Sequence, residues 1–103
     1  MFQVIKRNGD KADFTLTKIG DAIRKAFDAT DTQYNNDIID LLSLRVTADF
    51  QDKVEEGAVH VEDIQDSVEK VLEQAGYAEV AKAYILYRKQ REKMRNMKST
   101  ILD

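Results

Sequence analysis

The spacing of apolar residues changes after position 14. Phe2 to Arg7 is rich in strand formers and runs into Asn8-Gly9, where both residues tolerate positive φ, so a hairpin is predicted with a second short strand through Lys11 to Phe14. Beyond it the spacing is helical. Thr15 or Thr17 supplies a capping hydroxyl, and Ile19, Ile23, Ala26 and Phe27 recur as one face of a helix from about Lys18 to Ala29, until polar residues from Asp28 to Asn36 break the pattern. Asn35 or Asn36 caps a second helix whose stripe is Ile39, Leu42, Val46 and Phe50, running to about Asp52 and closed off by Glu55-Glu56-Gly57. After a briefly extended Ala58 to Val61, a third helix carries Ile64, Val68, Val71, Leu72 and Ala75. Its first turn holds Glu62 and Asp63, as the macrodipole favours, and Gly76 stops it. Val80, Ala81, Tyr84, Ile85 and Arg88 then begin a long fourth helix reaching about Met97. The fold class expected is mainly α (α+β), a short hairpin cap on a four-helix bundle.

Length and composition narrow the function without naming it. The 103 residues suffice for one domain with one core. The net charge of −3 argues against a general affinity for nucleic acid or an anionic membrane, and no apolar run approaches the roughly 20 residues that a bilayer span needs. Lys6, Arg7, Asn8 and Gly9 arrive before a signal-peptide h-region can form, so the cytosol is the expected compartment. With no cysteine, the chain has no disulfide, Cys-based zinc site, iron–sulfur cluster or thiol chemistry of its own. No bound redox cofactor is expected.

No catalytic constellation is visible. His60 is the single histidine and has no metal-site or triad motif around it, and no carboxylate sits in an apolar stretch that would raise its pKa. Gly9, Gly20, Gly57 and Gly76 fit neither the Walker A spacing nor the dinucleotide fingerprint. Charge, however, is uneven. Arg88, Lys89, Arg91, Lys93, Arg95 and Lys98 face one acidic residue, Glu92, giving that segment +5 and leaving −8 elsewhere. Such a run reads either as a solvated helix end or as a group that meets an anion; with no interleaved aromatic, it offers nucleic acid no stacking platform.

An anion site has a physical basis at the other end of the chain. Lys6 and Arg7 end a strand, with side chains alternating between its faces, and Lys18 lies in the first turn of the helix that follows. A cation there opposes the helix dipole unless a negative ligand compensates it. Were Arg88 and Lys89 packed nearby, five cations would face one pocket, and charge-assisted hydrogen bonds of about 1.5–3 kcal/mol each would offset the desolvation of a phosphate.

These same residues carry a resemblance. Val4-Ile5-Lys6-Arg7-Asn8-Gly9, followed by Phe14 and Lys18-Ile19, resembles the opening Val-x-Lys-Arg-x-Gly of the ATP-cone regulatory domains. Val61 to Glu69 is similar to the segment that opens that family's third helix, and Val80 to Arg88 to its closing motif. The continuation from Arg88 to Arg95 is most similar to the amino-terminal cone of anaerobic (class III, glycyl-radical) ribonucleoside-triphosphate reductases. The resemblance covers nearly the whole chain. It implies one cone over residues 1–98, with 99–103 opening a linker to a catalytic domain, and a nucleotide switch rather than an enzyme: ATP activating, dATP inhibiting, with Mg2+ as companion ion. It implies that Val4, Lys6 and Arg7 border the nucleotide, Phe14 and Thr15 lie near base and sugar, and Lys18, beside Ile19, holds phosphate. His60 and Val61 would stand by the base, and Arg88 or Lys89 would reach phosphate. Related cones often carry an acidic residue where Ala12 stands, Asn or Asp at Thr15, and Thr or Ser near Val61. Partners implied are adenine nucleotides, the reductase catalytic domain and other cones, with no nucleic acid and no membrane. The alternative from the residues alone is a helical protein-interaction module presenting Tyr84 and Tyr87.

Overall fold

The computed structural model describes residues 2–102, with side chains described through Met94. Strands β1 (Gln3–Ile5) and β2 (Lys11–Asp13) form the predicted antiparallel hairpin, with Val4 opposite Ala12. Its turn is longer than the Asn-Gly pair suggested. The Lys6 amide donates to the Asp10 carbonyl at 2.7 Å and the Gly9 amide to the Lys6 carbonyl at 2.9 Å, leaving a three-residue loop in which only Gly9 takes a positive φ, +91°. Asn8 instead stays at negative φ and its Oδ1 accepts from the Asp10 amide at 3.0 Å, an Asx turn that fixes the loop.

The extended stretch after Gly57 becomes β3 (Ala58–His60), which joins β1 in parallel, so the sheet order is β2-β1-β3. Two helices fill the crossover between them. These are α1 (Leu16–Ala29) and α2 (Asn36–Phe50), the latter capped by Asn35, whose Oδ1 accepts from the Ile38 amide at 2.8 Å, and followed by one 3-10 turn, Gln51–Lys53. Helix α1 starts two residues before the position predicted, and Thr15 occupies its N-cap without a capping bond from its side chain. Helix α3 (Val61–Gln74) begins directly after β3, so Val61 is its first residue rather than the end of the strand. It stops at Gly76, φ +90°, where the Tyr77 amide reaches the Leu72 carbonyl at 2.9 Å and the Gly76 amide the Glu73 carbonyl at 3.1 Å, a Schellman closure. Helix α4 (Ala78–Leu102) then runs beyond the predicted end. The stretch 99–103, expected to open a linker, lies beyond the residues whose side chains are described.

The predicted stripes become the core. Ile23 and Phe27 of α1, Val46 and Phe50 of α2, Val68 and Leu72 of α3, and Val80 and Ala81 of α4 are buried together, with Val59 of β3 at one end. Helix α1 packs on α2 and α4, and α3 packs on α2 and α4, giving the four-helix arrangement expected. The hairpin is fastened by aromatics: Phe2 stacks on Phe14 at 4.4 Å between centroids, and both meet the edge or face of Phe50, at 5.7 and 5.8 Å. Among the described residues no helix is long and apolar enough to cross a membrane.

Candidate functional site

Helical and strand periodicity bring four elements to one cleft of about 320 Å3. Residues Thr15, Lys18, Ile19 and Ala22 come from the start of α1, and Val61, Ile64, Gln65 and Val68 from α3, each set spaced i, i+3, i+4, i+7. Tyr84, Tyr87 and Arg91 come from α4 at i, i+3, i+7, while Val4, Lys6, Ala12 and Asp13 come from the hairpin, with Phe14 closing it. The lining divides by chemistry. Helix α3 contributes apolar side chains and one amide, whereas the cations Lys6, Lys18 and Arg91 enter from the hairpin, α1 and α4.

None of those three cations takes part in an ion pair between described residues. No acidic residue occupies the first turn of α1, so Lys18 and the positive end of that helix add to one another. Thr15, whose side chain makes no capping bond, lines the same space. Arg91 is oriented by Tyr87: its Nη1 donates to the phenol oxygen at 2.9 Å and its guanidinium carbon lies 5.7 Å from the ring centroid. Lys25 approaches the same ring at 5.7 Å. Tyr84 is 5% exposed, and burial raises its phenol pKa, so it is neutral at pH 7. The Tyr84–Tyr87 stripe is thus committed to the core and the cleft rather than offered as a free docking face.

Of the residues singled out in the sequence, Val4, Lys6, Phe14, Thr15, Lys18, Ile19 and Val61 line this cleft. Arg7, Arg88 and Lys89 line a different groove, where they face four carboxylates: Glu62, Asp66, Glu69 and Glu92. Lys6 closes the hairpin loop opposite Asp10 while Arg7 lies within the loop, so the two part, and Arg7 Nη1 lies 3.4 Å from Glu62 Oε1 and 3.2 Å from Glu92 Oε1. Arg88 donates to Asp66 at 2.8 Å and Glu69 at 3.2 Å. Burial opposes its charge, yet those two hydrogen bonds and the negative charges of the same carboxylates together hold the guanidinium pKa above its ordinary value. The five-cation pocket therefore does not form: three cations share the cleft, and Arg91 takes the place imagined for Arg88 or Lys89. His60 is exposed at the N-cap of α3, outside the cleft lining.

Asp13, Gln65 and Arg91 were missed. The signal for Arg91 was present, since Tyr84, Tyr87 and Arg91 continue one helical face, whereas Arg88 is rotated about 100° from Tyr87. Gln65 lay within the stripe of Val61, Ile64 and Val68 and was passed over as polar.

The sequence matches the ATP cone domain family over residues 2–93. The chain belongs to this family. It is 43% identical over 99 residues to a ribonucleoside-diphosphate reductase subunit alpha of Chlamydia pneumoniae, covering 89% of this chain and 9% of that protein. It is 35% identical to an anaerobic ribonucleoside-triphosphate reductase of Haemophilus influenzae, covering 97% and 14%, and 31% identical to a vitamin B12-dependent ribonucleoside-diphosphate reductase of Mycobacterium tuberculosis, covering 96% and 14%. The chain spans about a tenth of the length of these curated relatives. The family thus accompanies three differently named kinds of reductase.

Proposed function

We propose that this ATP cone is a nucleotide-sensing domain that regulates a ribonucleotide reductase, binding ATP as activator and dATP as inhibitor and catalysing nothing itself. The observation that carries this reading is the cleft, where Lys6, Lys18 and Arg91 oppose an apolar wall. Phosphates go to the three cations and the Thr15 hydroxyl, and a base lies against Val61, Ile64 and Val68. Asp13, the carboxylate of the cleft lining, accepts from a ribose hydroxyl. No group of three potential metal ligands occurs among the described residues. Mg2+, if it accompanies the ligand, arrives on the phosphate oxygens.

ATP and dATP differ by one hydroxyl, worth about 1 kcal/mol as a neutral hydrogen bond. A switch needs more than affinity: each nucleotide must favour a different arrangement of the cone against its neighbours. Helix α4, which carries Arg91 in the cleft and Arg88 and Glu92 in the adjoining groove, is the element placed to convey this to a catalytic domain or a second cone. The resemblance of the tail from Arg88 to Arg95 favours an anaerobic parent, while the 43% identity favours a diphosphate reductase. Assaying the intact enzyme with di- and triphosphate substrates, with and without oxygen, decides between them.

Isothermal titration of the chain with ATP and dATP in Mg2+, with light scattering on the same samples, tests the sensor. Micromolar binding of both, weakened about tenfold in Lys6→Ala and in Lys18→Ala, and a mass change with dATP are the expected results. No heat at millimolar nucleotide overturns the reading.

A further inference from the structure

The hairpin and α4 approach each other in register. In each element one cation lines the cleft and the next residue lines the adjoining groove: Lys6 and then Arg7 in the hairpin, Arg91 and then Glu92 in α4. The cleft members have the same sign and no ion-pair partner among the described residues, so in the empty protein they repel each other. The groove members have opposite signs and are joined. Arg7 Nη1 lies 3.2 Å from Glu92 Oε1, and 3.4 Å from Glu62 Oε1 on α3.

The loop end of the hairpin depends on these ion pairs. Phe2, Phe14 and Phe50 fasten the hairpin at the end away from its turn, and the pairing of β1 with β3 stops at Ile5 and His60. Among the described residues, the ion pairs of Arg7 are the polar side-chain bonds that join the loop between Lys6 and Asp10 to the helices. The loop is also stiff, so what holds Arg7 holds Lys6. Asn8 Oδ1 accepts from the Asp10 amide and Asn8 Nδ2 donates to the Asp10 carboxylate, both at 3.0 Å, while the Lys6 and Gly9 amides close the turn. On the other side the helix fixes Arg91 relative to Glu92, and Tyr87 orients the guanidinium.

We propose that Arg7 and Glu92 are positioning residues, a latch that keeps the hairpin loop against α4 and so holds Lys6 and Arg91 ready for an anion before it arrives. The assignment rests on the nucleotide-sensing reading above and adds to it the pair that preorganises the site. A loop that opens lowers the apparent affinity by the fraction of time it is open, and an exposed ion pair shifts that fraction modestly. The sign of the effect separates a latch from a bystander. Glu92 is an acidic residue beside an anion site, so its charge taken alone repels the ligand, and removing that charge would strengthen binding.

Titrating ATP at low salt into the chain, Glu92→Gln, Arg7→Gln and the double variant tests this. Glu92→Gln is expected to bind about twofold more weakly in spite of its lost negative charge. The double variant is expected to bind no more weakly than Arg7→Gln, because the two changes break one interaction. Hydrogen exchange without nucleotide accompanies the titrations: the Lys6 and Gly9 amides, which close the turn, are expected to exchange faster in Glu92→Gln than in the parent, and at the parent's rate once ATP is saturating. Unchanged exchange in Glu92→Gln, or binding that is unchanged or tighter, overturns the latch and leaves the nucleotide site standing. No binding of ATP to the parent overturns both.

Discussion

Lys6 and Arg7 are adjacent in the chain and serve different grooves: Lys6 lines the cleft of α1, α3 and α4, and Arg7 is held by Glu62 and Glu92 on the other side. The Lys-Arg pair that marks the opening motif is therefore not one anion contact doubled. Its first member faces the cleft, and its second ties the hairpin to α3 and α4. Lys6→Ala is expected to weaken ATP binding about tenfold, the scale of one charge-assisted hydrogen bond, and Arg7→Ala to change it by less than about threefold. Calorimetric titration of both variants checks this; equal losses would place Arg7 in the ligand site.

The same division holds on α4. Arg91 stands over Tyr87 in the cleft, while Arg88 is spent on Asp66 and Glu69. Arg91→Ala is expected to cost about tenfold in nucleotide affinity with little change in melting temperature. Arg88→Ala is expected to do the reverse, leaving Glu69 half-buried without its partner and lowering stability by about 1 kcal/mol. Thermal melts and titrations on the two variants separate these roles, and a larger binding loss from Arg88→Ala would contradict the assignment.

A pH dependence comes from the contact between α2 and α3. Asp49 accepts from the Ser67 hydroxyl at 2.7 Å and lies 3.0 Å from Lys70 Nζ. The serine bond is the main reason that its carboxyl pKa sits below the usual value, with burial pulling the other way and Lys70 assisting. A carboxylate with a depressed folded pKa stabilises the fold above its unfolded value of about 3.9, and that contribution is lost as pH falls through the folded value. Ser67→Ala is therefore expected to melt lower than the parent at pH 7, with the gap narrowing as pH falls below 4. Melting curves from pH 2 to pH 7 read this directly; a gap constant over that range would show that Asp49 does not carry the difference.

The four helices were legible because each carries an apolar stripe, and those stripes became the core as far as Phe27, Phe50, Leu72 and Tyr84, while Ala75 is only partly buried and Ile85 and Arg88 stand outside the core. Hairpin and Gly76 stop were legible from backbone chemistry, since positive φ at Gly9 and Gly76 is needed for the turns that they make. The assembly of the site was less so. The sequence put Lys6 and Arg7 together at a strand end, whereas β1 stops at Ile5 and the hairpin turn sends the two side chains to different grooves. The phase of α4 follows from Tyr84 and Tyr87 only once their direction toward the cleft is known, which is why Arg88 was favoured over Arg91. An unpartnered atom such as Gln65 Oε1 has no signature in sequence at all, because it is defined by what surrounds it in three dimensions.

The cleft wall itself depends on a residue that does not touch it. Phe14 lines the cleft, is stacked on Phe2, and leans with it on Phe50, which is fully buried at the end of α2. Phe50→Ala would remove the contact that fastens the hairpin to the bundle and cost about 3–5 kcal/mol, a large part of the 5–15 kcal/mol that holds a domain together. Phe50→Leu fills most of the volume and is the better probe: it is expected to cost about 1–2 kcal/mol in denaturant titration and leave the protein folded. Loss of the edge contacts frees Phe14 in the cleft wall, together with Phe2 opposite it, so nucleotide affinity is expected to fall a few-fold although no ligand-lining side chain was changed. If stability falls and affinity does not, the wall is held by the β1 pairing with β3 instead, and substitution at Val59, which is opposite Val4, becomes the change that should move binding.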